Sequence, residues 1–195
     1  MKKTLKAAQK LQGKPFVITA KMDGSSCTFF IKDGTFGVCS RTMNLKPSDK
    51  NSFWRMAYEY EAEKKIKEYF PNKNIAVQGE LYGPGINKNR VGVTTLKFCA
   101  FNLFDIDSQR YLSHSELDLF CTMKQIPRVP LVEIGDSFNY SLEKLQEIAN
   151  YLKYETNNIA EGIVIRPLQE MESRVLRGRL SGKIISEPYE LKYGQ

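Results

Sequence analysis

The segment from Lys21 to Ser26 separates two stretches that both have the composition of β-strands. The first stretch covers residues 15–20 and the second residues 26–32, and both are rich in β-branched and aromatic side chains. Lys21 therefore lies where one extended stretch ends and a turn containing Gly24 begins. Partial desolvation between apolar residues favours the neutral amine of a lysine, which is a nucleophile, over the ammonium ion, which is not. A Lys-x-Asp-Gly sequence is also common in simple hairpin turns, so this segment alone leaves both interpretations open.

Strand and helix patterns follow one another along the rest of the chain. Asp33-Gly34 is a strong two-residue hairpin signal, so the first forty residues are predicted to form a meander with Lys21 and Arg41 at neighbouring strand ends. Mixed strands and peripheral helices indicate an α+β fold in a single domain spanning residues 1–195, not a βαβ array. Helices are predicted at residues 2–11, 49–70, 113–124 (opened by a capping box) and from 141 to about 152. Further strands are predicted at residues 74–82, 96–106, 129–133, 160–167, 183–186 and 189–193.

Composition limits the classes of function. A chain of 195 residues is long enough to bury a sizeable core, and its net charge of +7 favours polyanionic partners without proving one. The four cysteines lack the spacing of metal ligands and the chain has one histidine, which argues against zinc and indicates the reduced thiols of a cytoplasmic protein. No apolar run approaches the length of a membrane span, so we expect no membrane association.

Five short segments carry the candidate site residues. They are Lys21 in Lys-Met-Asp-Gly-Ser-Ser, Arg41 in Ser-Arg-Thr-Met-Asn-Leu, Glu80 in Gln-Gly-Glu-Leu-Tyr-Gly-Pro-Gly, Glu161 in Glu-Gly-Ile-Val-Ile-Arg, and Lys183 in the closing strands. Their content and order resemble the covalent nucleotidyltransferases, which comprise ATP-dependent DNA and RNA ligases and mRNA capping enzymes. The RNA ligases of the Deinococcus-type branch are most similar. The resemblance covers nearly the whole chain, and it implies an α+β nucleotidyltransferase (ATP-grasp-like ligase) domain in which antiparallel sheets enclose a nucleotide cleft and helices lie outside.

The resemblance implies catalytic roles for three residues. Lys21 is expected to attack the α-phosphorus of ATP and to carry AMP covalently while pyrophosphate leaves. Lys183 is expected to contact the α-phosphate, where a point charge is sufficient. Glu161 is expected to hold Mg²⁺ or Mn²⁺, or the water shell of the ion, close to the lysine. Ile185 stands where the family often has a second lysine or other polar group.

Three further residues are expected to bind the nucleotide. Glu80 would accept hydrogen bonds from the ribose, because a carboxylate is a strong acceptor. Phe101 would stack on adenine, and Arg41 would bind the phosphate or ribose side of the nucleotide or the RNA end. Each also has a plainer interpretation: a strand-end glutamate, a core phenylalanine or a surface arginine. At least two of the three phenylalanines at positions 98, 101 and 104 are expected in the core.

The implied function is ATP-dependent RNA ligation, with RNA carrying 3′-hydroxyl and 5′-phosphate ends as the partner. Lys88 and Arg90 follow the Gly-Pro-Gly loop beside Glu80, and we expect them to contact RNA phosphates. Deinococcus-type ligases carry a further domain, often an oligonucleotide-binding barrel, which this sequence does not show. We therefore expect efficient self-adenylylation but weaker strand sealing, and a missing or separate RNA-binding domain.

Two other functions are compatible with the same residues. One is an mRNA-capping-type guanylyltransferase, which would use GTP in place of ATP. The other is a nucleotide- or RNA-binding module without catalytic activity. The sequence leaves open whether the RNA substrate is a nick, a single strand or a tRNA break.

Overall fold

The computed structural model describes residues 2–194 and divides the chain into two compact units. Unit 1 combines the residues up to Asp23 with those from Val129 onwards, and unit 2 covers residues 24–128. The α-helices are α1 (Lys2–Leu11), α2 (Ser52–Glu59), α3 (Ala62–Tyr69), α4 (His114–Lys124), α5 (Leu142–Tyr151) and α6 (Glu187–Tyr193). The strands are β1 (Phe16–Lys21), β2 (Ser25–Lys32), β3 (Thr35–Cys39), β4 (Asn44–Leu45), β5 (Ile75–Tyr82), β6 (Lys97–Asp105), β7 (Arg110–Tyr111), β8 (Leu131–Gly135), β9 (Gly162–Pro167), β10 (Glu172–Ser173), β11 (Gly178–Arg179) and β12 (Gly182–Ile185).

Unit 1 is built on a four-stranded antiparallel sheet with the strand order β12-β9-β1-β8. Residues opposite each other in an antiparallel pair point to the same face of the sheet. Ile18 and Ile165 are such a pair, and both belong to a buried cluster that includes Leu11 of α1 and Leu145 of α5. These two helices therefore cover one face of the sheet. Lys21 lies at an odd-numbered position of β1 and belongs to the other face.

Unit 2 is built on a six-stranded antiparallel sheet with the strand order β4-β3-β2-β5-β6-β7. Phe29, Val77 and Phe98 lie on one face and are fully buried. Trp54 of α2 and Phe120 of α4 belong to the same cluster, so the helices of unit 2 cover this face. The Asp33-Gly34 turn between β2 and β3 has positive φ at both residues, as the predicted two-residue hairpin requires.

The predicted meander of the first forty residues is wrong. β1 pairs with β8 on one side and β9 on the other, so it has no free edge for β2. β2 instead pairs with β3 and β5 in the sheet of unit 2. Lys21 and Arg41 therefore do not lie at the ends of neighbouring strands. The residues that follow Lys21 carry the chain from one sheet to another, which also excludes the simple hairpin interpretation.

The single helix predicted for residues 49–70 is also wrong, because the chain forms α2 and α3 with a break at Glu61. Glu61 has the left-handed φ of 50°. In one continuous helix, the step of nine residues from Ala57 to Ile66 would turn the side chain by about 180°, to the opposite face. Both residues are buried in the same cluster. The break restores the alignment of the two apolar faces, and neither glycine nor proline marks it in the sequence.

The predicted strand at residues 189–193 is α6. Ser186 caps this helix by accepting a hydrogen bond from the N–H of Tyr189, and Pro188 lies in its first turn. Both are ordinary signals for the start of a helix. The capping box at Ser113, in contrast, is confirmed, since the Ser113 and Glu116 side chains each accept a bond from the other's backbone N–H. None of the helices in residues 2–194 has the length and hydropathy needed to cross a membrane.

The break at Glu61 can be tested by a pair of glycine substitutions. Glu61→Gly should leave the free energy of unfolding unchanged or raise it by up to about 1 kcal/mol, because glycine relieves the left-handed strain. Glu63→Gly, inside α3, should lower it by about 1 kcal/mol. Both glutamates contact a lysine of α3, so each variant loses one exposed ion pair. Urea unfolding measures both values, and equal destabilisation by the two variants would contradict a break at Glu61.

Candidate active site

Lys21 and Glu161 meet at the ends of two neighbouring strands. Lys21 is the last residue of β1 and lies opposite Gly162, the first residue of β9. Glu161 directly precedes β9, and its Oε1 accepts a hydrogen bond from Nζ of Lys21. The two side chains are 22% and 19% exposed, so the ion pair is largely removed from water. The structure thus brings together the predicted nucleophile and the predicted metal-binding carboxylate.

The hydroxyl of Tyr154 connects the backbone around this ion pair. It donates a hydrogen bond to the carbonyl of Lys21 at 2.8 Å. It also accepts bonds from the N–H groups of Asp23 at 3.2 Å and Glu161 at 3.0 Å. The side chain is buried, and burial raises the pKa of the Tyr154 phenol, so the hydroxyl keeps the proton that it donates.

A second tyrosine holds the segment that follows Lys21. Asp23 is buried, and its Oδ2 accepts a hydrogen bond from the hydroxyl of Tyr189 in α6. Sequence reasoning missed Tyr154 and Tyr189 as site residues. Tyr154 follows α5 in a polar segment without any local signal, and Tyr189 lies in the segment wrongly predicted as a strand. Asp23 belongs to the Lys-x-Asp-Gly sequence, but the motif does not indicate its hydrogen bond to Tyr189.

Two further cationic residues share the sheet face of Lys21. Lys183 lies opposite Val164, and Val164 lies opposite Thr19, which is two residues from Lys21 on the same strand. Arg166 is two residues beyond Val164, and its Nε donates to Oγ of Ser181 at 3.4 Å. Measured along the strands, Lys183 is one two-residue step of about 7 Å from the level of Lys21 and Arg166 is two steps away. The three residues lie on three neighbouring strands, which are about 4.8 Å apart.

Ile185, and not Lys183, is level with Lys21. Ile185 lies opposite Gly162, which is also the partner of Lys21 on β1. The position of β12 that is level with the nucleophile is therefore apolar. The predicted phosphate contact, Lys183, lies one two-residue step further along the strand and is exposed.

Glu80 belongs to unit 2 and lies on β5, on the face away from the buried cluster. It is opposite Ser26 on β2 and Cys99 on β6, and it is half-buried. Gly24 approaches this strand so closely that an added Cβ would lie 2.2 Å from the carbonyl oxygen of Leu81 and 2.9 Å from Cγ of Glu80. Gly24 is therefore required for the backbone to pass beside Glu80.

Phe101 lies at an irregularity of β6. Gly79 pairs with Ala100 and Gln78 with Asn102, so Phe101 is the extra residue of a β-bulge. Its ring is half-buried, and the neighbouring Asn102 side chain donates to Oε1 of Gln78 at 3.0 Å. A bulge re-aims a side chain, which is compatible with a ring that stacks on a ligand.

The expectation that at least two of the three phenylalanines of β6 lie in the core is wrong. Phe98 is fully buried in the cluster of unit 2. Phe104 is half-buried like Phe101 and packs edge-on against Tyr111 of β7, with ring centroids 5.0 Å apart. The bulge and the end of the sheet place these two rings outside the buried cluster.

The remaining predicted site residues are also in unit 2. Arg41 is exposed in the bend that follows β3. Lys88 is exposed, and Arg90 is half-buried. Lys88 lies in the short 3-10 helix Asn87–Asn89, whose three residues all have left-handed φ values between 43° and 57°. Nδ2 of Asn87 donates to the carbonyl of Gly24 at 2.5 Å, which ties this helix to the segment beside Glu80.

The donor set at Glu161 fits a magnesium-type ion better than a metal cage. Among residues 2–194, no group of three or more histidine, cysteine, aspartate or glutamate side chains could hold a metal ion. Mg²⁺ is usually bound by one or two carboxylates together with substrate phosphates. The Glu161 carboxylate, which is in contact with Lys21, is a ligand of this kind.

The profile of the RNA ligase family matches residues 14–185. The chain belongs to the RNA ligase family. Solved structures of Naegleria gruberi RNA ligase are similar to it over nearly its whole length. A mutant of that ligase in its apo form has a TM-score of 0.86, 27% sequence identity and coverage of 98% of this chain. A mutant with ATP and Mn has a TM-score of 0.86 and 26% sequence identity over 98% of this chain. The ligase with PPi has a TM-score of 0.86 and 27% sequence identity, also over 98% of this chain.

These similarities confirm the predicted α+β nucleotidyltransferase-type fold with antiparallel sheets. The chain spans 55% of the length of each of these three Naegleria structures. A search of curated protein sequences returns no significant match. The family profile therefore shows the family membership, and the similarity to solved structures shows the fold.

The close approach of Gly24 to Glu80 predicts a local stability effect. Gly24→Ala should lower the free energy of unfolding by about 1–3 kcal/mol, because the added methyl group collides with backbone and cannot be accommodated by a rotamer change. Ser25→Ala, one residue further, adds no atoms and is the matched control. Chemical denaturation measures both variants, and a Gly24→Ala chain as stable as the control would show that the approach is not required.

Proposed function

We propose that this chain is the catalytic domain of an ATP-dependent RNA ligase. Nζ of Lys21 forms a bond to the α-phosphorus of ATP, and pyrophosphate leaves. The AMP is then transferred from Lys21 to the 5′-phosphate of an RNA strand, and a 3′-hydroxyl displaces AMP to form the phosphodiester. The observation that carries the proposal is the direct contact of Lys21 with Glu161 at the strand ends, in a chain of the RNA ligase family.

Structures of the Naegleria ligase support the choice of nucleotide and metal. They contain ATP and Mn, AMP and Mn, or PPi. ATP is the substrate that the proposal assigns to Lys21, and PPi is the leaving group of the first step. We therefore propose ATP and Mg²⁺ or Mn²⁺ for this chain. The assignment to the Deinococcus-type branch stays a prediction from the sequence motifs.

The ion pair defines what must happen before the first step. In the ion pair with Glu161, Nζ of Lys21 is part of an ammonium ion, which has no lone pair with which to attack phosphorus. Nζ must therefore lose its proton, and the Glu161 carboxylate is in contact with it. A divalent cation held by Glu161 would supply positive charge at the α-phosphate oxygens.

Lys183 and Arg166 support phosphate binding on the same sheet face. Charge develops on the phosphate oxygens as pyrophosphate leaves, and fixed cations stabilise that charge. Lys183 is proposed to contact the α-phosphate. Arg166, which lies further from Lys21, adds a third cation to this sheet face.

For the nucleoside, we propose the roles that the family resemblance implies. Glu80 accepts hydrogen bonds from the ribose hydroxyls, and Phe101 stacks on adenine. Both side chains lie outside the buried cluster of unit 2 and are half-buried, as ligand contacts require. Arg41 is exposed and is proposed to bind the nucleotide phosphates or the RNA end.

The covalent intermediate can be tested by intact-mass spectrometry. Incubation with ATP and Mg²⁺ or Mn²⁺ should add the mass of AMP, and Lys21→Ala should abolish the addition. Lys21→Arg should abolish it too, because a guanidinium cannot be deprotonated in a protein. Lys32→Ala removes a lysine at the end of β2 and should leave the addition intact. An adduct that survives Lys21→Ala contradicts the assignment. Labelling by GTP alone would indicate a guanylyltransferase, and labelling by neither nucleotide a binding module.

A second experiment tests the RNA contacts of Lys88 and Arg90. The double variant Lys88→Gln/Arg90→Gln should bind RNA more weakly and lower the slope of log affinity against log salt by about 1–2, because each phosphate contact releases counterions. Formation of lysyl-AMP should stay close to normal. The control Lys64→Gln/Lys67→Gln removes two cations from α3. Identical salt slopes for the two double variants would count against RNA contacts at these positions.

A further inference from the structure

The Tyr154 hydroxyl uses its full hydrogen-bonding capacity on three backbone groups. A phenol has one O–H donor and two acceptor lone pairs. The donor goes to the Lys21 carbonyl, and the lone pairs receive the N–H groups of Asp23 and Glu161. All three bonds are between 2.8 and 3.2 Å long. One atom thus fixes the end of β1, the residue two positions beyond it and the residue that precedes β9.

These three groups lie at the end of the paired region between β1 and β9. Lys21 and Gly162 are the last registered pair between β1 and β9. The Lys21 side chain extends from this last pair, and Glu161 directly precedes Gly162 on the other strand. Tyr154 continues the connection with side-chain bonds where the ladder of backbone bonds ends. Together with the bond from the N–H of Ser186 to the Glu161 carbonyl at 2.9 Å, this hydroxyl therefore sets how closely the Lys21 and Glu161 backbones approach.

The backbone of Tyr154 is held in place by hydrogen bonds of the loop that follows α5. Its N–H donates to the carbonyl of Asn158 at 2.9 Å, and its carbonyl accepts from the N–H of Asn157 at 2.9 Å. The N–H of Ala160 donates to the carbonyl of Leu152 at 3.0 Å, which closes the loop around it. Tyr154 is 6% exposed. These bonds fix the backbone of Tyr154, and burial holds its ring in place.

We infer that Tyr154 is a positioning residue for adenylylation, which sets Nζ of Lys21 against Glu161 for attack on ATP. This inference rests on the proposed function. The hydroxyl touches only backbone groups, so it fixes the geometry of the two side chains without changing their charges. Because its bonds go to the backbone groups of Lys21, Asp23 and Glu161, removal of the hydroxyl should affect the covalent step and not nucleotide binding.

The test compares Tyr154→Phe with Tyr140→Phe. Tyr140 is also in unit 1, and its hydroxyl bonds to the Glu133 carboxylate at 2.7–2.8 Å. Each variant keeps the ring and loses one hydroxyl that is hydrogen-bonded in the wild-type chain. Rates of lysyl-AMP formation are measured at several ATP concentrations by intact mass, and thermal midpoints are recorded for both variants.

We expect Tyr154→Phe to lower the maximal rate of adenylylation about 10- to 100-fold, because small misplacements of a reacting group have effects of that size. The ATP concentration for half-maximal rate should change less than about threefold, since nucleotide binding is unaffected. Tyr140→Phe should adenylylate at the wild-type rate. A Tyr154→Phe chain that reacts at the wild-type rate, or that loses rate only through weaker ATP binding, overturns the inference.

Hydrogen exchange on the wild-type chain provides a measurement that needs no variant. The amides of Asp23 and Glu161 should be protected as strongly as those within β1, because both donate to the buried hydroxyl. Rapid exchange at both amides would overturn the inference. A wild-type chain that takes up no AMP overturns the proposed function together with it, whereas labelled wild type with unaffected Tyr154→Phe overturns the inference alone.

Discussion

Two opposite charges, the Lys21 ammonium and the Glu161 carboxylate, meet where β1 ends and β9 begins, and each is about one-fifth exposed. Charges so far removed from water are stable only when they are paired, so each residue requires the other at this position. The register of the two strands provides that proximity. The buried isoleucines on the opposite face of the sheet fix the register, because a slip by one residue would turn Lys21 into the core. The chemistry of the site thus depends on ordinary hydrophobic packing one layer below it.

The same alternation explains how one sheet serves two purposes. Every second residue of β1, β9 and β12 packs against α1 and α5, while the residues between them face away. Lys21, Lys183 and Arg166 belong to the second set. Their spacing follows from the rise along each strand and the distance between neighbouring strands, and it requires no special loop. The Tyr154 hydroxyl connects the ends of β1 and β9 beyond what strand pairing provides. The Tyr189 hydroxyl holds the side chain of Asp23, in the segment that follows Lys21.

The sequence predicted most elements of this fold, because strong local signals determine them. The Asp33-Gly34 turn and the capping box at Ser113 are fixed by neighbouring residues and are confirmed. The partners of β1 could not be predicted in the same way, since β8 and β9 lie more than a hundred residues away along the chain. Adjacency in sequence favoured β2 as the partner of β1, but β1 pairs with two distant strands instead. The break at Glu61 has the same cause, because only packing of both helices on one cluster requires it.

For the candidate site, motif resemblance predicted the residues that act through their own chemistry, such as Lys21 and Glu161. It could not predict Tyr154, whose contribution depends on three backbone groups at separate points of the chain. A tyrosine after a helix has no pattern that distinguishes it from a core residue. The same limit applies to Arg166. It ends the Glu-Gly-Ile-Val-Ile-Arg segment, but only the folded sheet shows that it lies on the same face as Lys21.

The most direct test of this account is a crystal structure of the chain determined after incubation with ATP and Mn²⁺. The account predicts continuous electron density between Nζ of Lys21 and the phosphorus of AMP. It also predicts that the Glu161 carboxylate has exchanged its contact with Nζ for the metal or its water shell, while the Tyr154 hydroxyl keeps its three backbone bonds. A nucleotide bound away from Lys21, with the contact between Lys21 and Glu161 unchanged, would contradict the central claim that these two residues form the catalytic pair.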